Sequence, residues 1–307
     1  MKTPASKAVI FVIGPTAIGK TGLAIDLARR IGGEIISADS MQVYKGMGTL
    51  SQAPTAKERD RARHYLIGSL DPREEYSVAE FIKRSSRIIA SIIKRKKIPI
   101  VAGGSGLYVR GLVDGLFPSP EADLKFRDKM KKFVAKYGSP SLHSRLAKID
   151  PGSANAIHPN DVRRIIRALE IYHSTGKTMT ELKHSTHGLK NKYDIKIFGL
   201  IMPREEIYSR IDGRVDKMFE SGVIAEVKRL RRKRLSKTAA AVLGFNAISG
   251  YLDGKYDLDA AKDMLKMDTR RFAKRQLTWF RPDNRIRWFD VSKRNTKEII
   301  KNIAKGF

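Results

Sequence analysis

Eight residues near the start of the chain, Gly14-Pro15-Thr16-Ala17-Ile18-Gly19-Lys20-Thr21, follow the pattern G-x-x-x-x-G-K-S/T. Glycines at both ends let the backbone turn tightly enough for several N–H groups to converge on one anion. A helix opening at the lysine adds the partial positive charge of its N-terminus, and Lys20 adds a full one. The Thr21 hydroxyl is placed to ligate Mg2+. The pattern reads as a cradle for a phosphate chain. Enzymes that cleave nucleotides in such a loop usually hold the metal with an acid at the end of a buried strand. Here the segment Ile98-Pro99-Ile100-Val101-Ala102 runs into Gly103-Gly104-Ser105-Gly106 with no carboxylate. The acid stands elsewhere, as Asp39 after Glu34-Ile35-Ile36-Ser37-Ala38. Taken alone, Asp39 also suits a turn or cap. Beside a phosphate loop without its usual acid, it suggests a carboxylate free to take a proton from a substrate.

These side chains act together only if strands deliver them to one edge. Ala8–Ile13 is a continuous apolar run that stops at Gly14, as a strand buried on both faces would. Leu23, Ile25, Leu27, Ala28 and Ile31 recur at helical spacing up to the stop Gly32-Gly33. Ser77 and Glu80 have the capping-box spacing and open a helix carrying Phe81, Ile82, Ile88, Ile89, Ile92 and Ile93. This alternation predicts a P-loop NTPase-like α/β fold, a parallel sheet flanked by helices. Ligands bind at the carboxyl ends of such strands, which turns Asp39 toward the loop.

The rhythm breaks at Phe117-Pro118-Ser119-Pro120-Glu121, and helical stretches follow around 125–137, 141–149 and 162–174. Strand character returns at Ile195–Met202 and closes at Ile286–Val291, with helices between. The expected organisation is a first core segment 1–117, an all-helical insertion 118–194, and a second core segment 195–307 with basic C-terminal helices. In the helix predicted over Arg204–Phe219, Ile207, Ile211, Val215 and Met218 form the apolar stripe, and Arg210 and Arg214 share another face.

Composition narrows the class. Of 307 residues 41 % are apolar, enough for a buried core and against disorder. With 0 cysteines, disulfide scaffolds, thiolate metal sites and cysteine nucleophiles drop out together. No stretch approaches the roughly 20 apolar residues of a membrane span, and Met1–Lys7 is too short for a leader. A cytoplasmic protein without membrane contact is expected. Lys and Arg number 61 against 32 Asp and Glu, a net +29, which suits a nucleic-acid partner as well as a generally basic proteome. Arg163, Arg164 and Arg167 lie within about a turn of each other, a spacing for a phosphate track or for a plain solvated face. The stretch Lys274–Arg281 mixes cations with aromatics, a composition that serves backbone contact and base stacking, although Trp279-Phe280 also suits a core. His184 and His187 lack a carboxylate or cysteine companion for a metal.

In chain order, Gly14–Thr21, Asp39–Met47, Gly103–Tyr108, His158–Asp161, Arg163-Arg164, Arg167–Glu170, Ser174–Lys177 and Arg270–Arg281 resemble the motifs of tRNA dimethylallyltransferases, over about Val9 to Arg281. The resemblance implies transfer of a dimethylallyl group from dimethylallyl diphosphate to N6 of the adenosine just 3′ of the tRNA anticodon. It further implies Mg2+, the anticodon stem-loop as partner, and a monomer of the compact bacterial form. Residues Gly14 to Thr21 would hold the diphosphate, with Thr16, Lys20 and Arg214 as its catalytic clamp, Thr21 on the metal and Asp39 as base. Asp39, Ser40, Met41 and Gln42 would meet the extruded adenine. Ser105, Arg127, Arg163, Arg164, Arg167, Gly244, Phe245, Lys274, Arg275, Gln276, Trp279 and Arg281 would contact the tRNA.

Three departures from the family pattern stand out: Asn246 replaces a basic residue, Gly48–Pro54 differs and puts Ala53 where a lysine is usual, and Ile18 stands where serine is common. An adenylate isopentenyltransferase would share loop and acid, but a mononucleotide needs neither the charge nor the Lys274–Arg281 block. A small-molecule kinase or nucleotide-driven RNA-binding module would lack its strand-end acid.

Overall fold

Every residue of β1 (Ala8–Ile13) is buried. It pairs in parallel on one side with β4 (Ile98–Gly103) and on the other with β5 (Asp194–Ile201), so neither edge of it meets solvent. A computed structural model of the chain describes residues 7–117, 120–184 and 186–306. The border residues Pro118 and Ser119, and most of the short segment before β1, lie outside them, as does Ser185. With β2 (Gly33–Ala38), β3 (His64–Tyr65) and β6 (Ile286–Asp290), the sheet has six strands in the order β3-β2-β4-β1-β5-β6. All its neighbours are parallel. The expected α/β class is what the structure has.

Parallel neighbours require crossovers. In the first half these are α1 (Lys20–Ile31), α2 (Ala56–Arg61), α3 (Val78–Lys94) and α4 (Gly106–Asp114). The helices of the middle segment are α5 (Leu124–Ile149), α6 (Pro151–Ala156), α7 (Val162–Thr175) and α8 (Met179–His184). After β5 come α9 (Arg204–Glu220), α10 (Val223–Leu230), α11 (Lys237–Ala240), α12 (Phe245–Leu252) and α13 (Leu258–Phe280), and α14 (Thr296–Ala304) follows β6.

The described residues fall into two compact units. One holds the chain up to Val113 and again from Leu189; the other is Asp114–Gly188. The boundary therefore falls six residues earlier at its far end than the expected 194, because Leu189 is buried in the larger unit's core. The smaller unit has its own core of Met130, Leu142, Leu146, Ile165 and Leu169 among others. Its α5 is interrupted at Gly138 (φ 79°, ψ 163°), which is why the sequence reads there as two helical stretches.

Two local expectations change. The Ser77 hydroxyl accepts from the Glu80 N–H at 3.2 Å, but the Glu80 carboxylate turns forward to Arg84 (2.6 Å), so only half of the capping box forms. The strand β3, two residues without periodicity, has no sequence signal. Among the described residues no helix is long and apolar enough to cross a membrane.

Where β4 ends beside β2, Gly103 is in register with Ala38. A Cβ on Gly103 would lie 2.2 Å from the Ala38 carbonyl oxygen, so the strands approach this closely only because a hydrogen stands there. Gly103→Ala is expected to cost about 1–3 kcal/mol by prying the two strand ends apart. Urea denaturation checks this against Gly22→Ala, whose Cβ meets nothing within 4 Å and which should cost nothing.

Candidate active site

The loop between β1 and α1 alternates backbone hands, with Ala17 at φ 63° and Gly19 at φ 97°. Lys20, the first residue of α1, donates from Nζ to the Pro15 carbonyl at 2.6 Å, so the ammonium folds back across its own loop. Thr21 follows, and its hydroxyl makes no hydrogen bond among the described residues. Ile18 is buried in the core, so its side chain serves packing and leaves only backbone for a ligand.

Asp39 follows β2 directly. Its Oδ1 accepts from the Met41 N–H (2.8 Å) and the Gln42 N–H (3.4 Å), and Oδ2 has no partner among the described residues. Ser40 and Met41, both half-buried, complete this turn. Gln42 is tied down at both ends of its amide: Oε1 accepts from the Ser37 hydroxyl at 2.8 Å and Nε2 donates to the Gln52 carbonyl at 3.2 Å. From α9, Arg214 reaches over the loop and donates from Nη1 to Thr16 Oγ1 (3.2 Å) and from Nε to Gln52 Oε1 (2.5 Å). Thr16, Lys20, Thr21, Asp39, Gln42 and Arg214 all line one cavity of about 1280 Å3.

Burial and charge shift each ionisable group there. Loss of water, with Arg214 repelling and Asp39 partly compensating, brings Lys20 down to about 7. Burial pushes the Asp39 carboxyl above its ordinary value, against the opposing pull of its two backbone donors, Lys20 and Arg214. Burial lowers Arg214, again with Asp39 opposing. An arginine remains charged through such a shift. Beside the loop the cavity therefore brings together a permanent cation, a titratable cation and a carboxylate with one open oxygen, and its wider lining adds Glu58, Lys45, Arg59, Arg210 and Lys217.

Two braces escaped the sequence reading. Buried Glu226 of α10 accepts from the N–H groups of Thr49 (3.0 Å) and Leu50 (2.8 Å) and so fixes the turn that carries Gln52. Its one available signal is a carboxylate on the apolar stripe of Val223, Val227 and Leu230. Gln276 of α13, expected at the tRNA, is buried and its amide is engaged inside the fold. Its Oε1 accepts from the Thr16 N–H at 2.8 Å and its Nε2 donates to the Gly104 carbonyl at 3.1 Å. It thereby holds the phosphate loop against the loop after β4.

The remaining candidate tRNA contacts divide by exposure. Ser105 lies beside the Asp39 turn, its N–H on the Ala38 carbonyl. Lys274, Arg275 and Arg281 are exposed along one end of α13. Trp279 packs against Gly106 and carries the Arg110 guanidinium over its ring at 5.2 Å, so it is half core. Gly244 caps α12 and Phe245 packs against the core, while Asn246 beside them is exposed. In the smaller unit Arg163 and Arg164 are exposed, Arg164 pairing with Asp161 at 3.2 Å. Arg127 and Arg167 instead turn onto Glu170, a fully buried carboxylate that Arg127 meets at 2.7 and 2.8 Å and that Arg167 also bonds. This corrects the reading of the three arginines as one track. Glu170 amid Ile165, Ile166, Leu169 and Ile171 was the signal for a buried pair.

A glycine-rich loop joining the first strand to its helix, and opening at the carboxyl edge of a parallel sheet, makes this a P-loop protein. Within that class, the family model described as IPP transferase matches residues 42–283. The chain is 47 % identical to the tRNA dimethylallyltransferase of Halothermothrix orenii, over 98 % of this chain and 93 % of that one. It is 48 % identical to the tRNA dimethylallyltransferase of Carboxydothermus hydrogenoformans, over 97 % and 96 %. Among solved structures it resembles the full-length tRNA isopentenylpyrophosphate transferase of Bacillus halodurans (TM-score 0.72, 40 % identity, 98 % of this chain and 96 % of that one). It also resembles a eukaryotic dimethylallyltransferase described as acting on tRNA (TM-score 0.77, 32 % identity, 93 % and 74 %). The chain belongs to the IPP transferase family.

With Lys20 at about 7 in the free site, the amine is largely neutral at pH 8, and a bound polyanion favours its charged form. Binding of an organic diphosphate at pH 8 is expected to take up a proton, and affinity to fall as pH rises above 7. Calorimetry in two buffers of different ionisation enthalpy reads the uptake, which should vanish in Lys20→Met.

Proposed function

We propose that the chain transfers the dimethylallyl group of dimethylallyl diphosphate to N6 of the adenosine just 3′ of the anticodon in tRNA. The observation that carries this reading is the shared cavity in which Lys20 and Arg214 face Asp39. A diphosphate in the loop meets backbone N–H groups, Thr16, Lys20 and Arg214. The N6 lone pair attacks the allylic carbon, the carbon–oxygen bond breaks, and its electron pair leaves on the diphosphate. Lys20 and Arg214 stabilise that growing negative charge. The N6 proton passes to Asp39, whose Oδ2 has no donor among the described residues and whose raised proton affinity suits a base.

The donor set fits Mg2+. Thr21 offers an unengaged hydroxyl, and no cluster of three or more acidic or histidine ligands exists among the described residues, so phosphate oxygens and water would complete the shell. The ion would neutralise charge on the diphosphate. On this reading the chain acts as a monomer, in the cytoplasm where tRNA is found. The exposed cations of α13, with Ser105 beside the Asp39 turn, support the anticodon stem-loop as the partner held at this cavity.

Incubation with labelled dimethylallyl diphosphate and total tRNA, followed by nucleoside analysis, is expected to place label in N6-isopentenyladenosine. Label absent from RNA, or found in AMP instead, would overturn the reading. In single-turnover transfer, Asp39→Asn is expected to slow the chemical step by roughly a hundred- to ten-thousandfold while tRNA affinity holds. An unchanged rate would remove Asp39 as the base.

A further inference from the structure

Gln52 sits at φ 51° in the turn Gly48–Pro54, a left-handed position that side chains hold only where their surroundings require it. Every polar group it offers has a partner. Nε2 donates to the Thr49 carbonyl at 2.7 Å, Oε1 accepts from Arg214 Nε at 2.5 Å, and the backbone carbonyl accepts from Gln42 Nε2 at 3.2 Å. Beneath it, Glu226 grips the N–H groups of Thr49 and Leu50. Arg214 has one further partner, Thr16, which leaves its Nη2 unengaged among the described residues.

We propose that Gln52 is the positioning residue that aims Arg214 at the diphosphate, an inference that rests on Arg214 contacting that group. A free arginine side chain samples many rotamers. Fixing Nε before the ligand arrives directs the remaining guanidinium donors into the cavity, so less freedom is lost on binding. The neutral amide matters. A carboxylate at this place would aim the guanidinium equally well but would cancel the charge that the leaving group needs. Through Gln42, the same turn is fastened to the backbone that carries Asp39, so base and clamp hold their separation through a single short chain of bonds.

Gln52→Met keeps the length of the side chain and deletes both the Oε1 acceptor and the Nε2 donor to Thr49, leaving the Glu226 grip on the turn in place. It is expected to lower kcat by roughly ten- to a hundredfold, with tRNA affinity and melting temperature unchanged. In the Arg214→Ala background the same substitution is expected to cost nothing further, since nothing remains to be aimed. Gln52→Glu is expected to raise KM for dimethylallyl diphosphate. A fully active Gln52→Met beside a slow Arg214→Ala sinks the positioning role alone. So does an equal loss in both backgrounds, or a lowered melting temperature with parallel loss of tRNA affinity, which assigns Gln52 to the fold. A fully active Arg214→Ala sinks the diphosphate reading itself and takes this inference with it.

Discussion

Lys20, Arg214 and Asp39 share a cavity that strips each of them of water, and none keeps its ordinary proton affinity there. Lys20 and Arg214 repel one another, and Asp39 alone of the three relieves both. Asp39 cannot offset both while keeping Oδ2 open, and the rest of the lining sets Glu58 against Lys45, Arg59, Arg210 and Lys217, so positive charge stays in excess. The arrangement therefore carries uncompensated positive charge, and the elements around it hold it in that state. The sheet brings the loop and Asp39 to one edge. Two helices from the far half of the chain bring Arg214 and Gln276 over it.

The bracing chemistry has a pattern. Around the cavity the side chains that fasten things are amides: Gln42, Gln52 and Gln276 each join two partners without adding charge. Of the cavity's own carboxylates, Asp39 and Glu58 each hold a turn by backbone N–H groups, and the fully buried ones lie outside its lining, where an anion can be fully satisfied. Glu226 lies under two backbone N–H groups, and Glu170 between two arginines and the Asp123 N–H. An amide orients a charged neighbour and leaves its charge available. Had the braces near Arg214 and Thr16 been acids, the field at the ligand would have been much weaker.

How much of this was legible follows from the range of each interaction. The strands β1, β2, β4, β5 and β6 were readable because each is an apolar run ended by a turn. The phosphate loop and Asp39 were readable because they are contiguous or lie at a strand end. Gln52 and Arg214 are 162 positions apart, and Thr16 and Gln276 are 260 apart, so no local pattern announces either pair. Arg167 looked like a companion of Arg163 and Arg164 for a different reason, since its partner Glu170 lies only three residues on in the same helix. Helical spacing shows which charges share a helix and does not show that one of them, Glu170, is fully buried. In the smaller unit, Gly138 was legible as a break because it interrupts a periodicity that resumes three residues later.

The bond from Lys20 to the Pro15 carbonyl has a chemical corollary. With its proton affinity brought down to about 7, this amine carries a free lone pair near neutrality far more often than an ordinary lysine does. Such an amine is a nucleophile. Acylating and carbamylating reagents should find it ahead of the many other lysines on the surface, and an occupied loop should shield it. The lysine of the glycine-rich loop is thus also a place open to covalent modification.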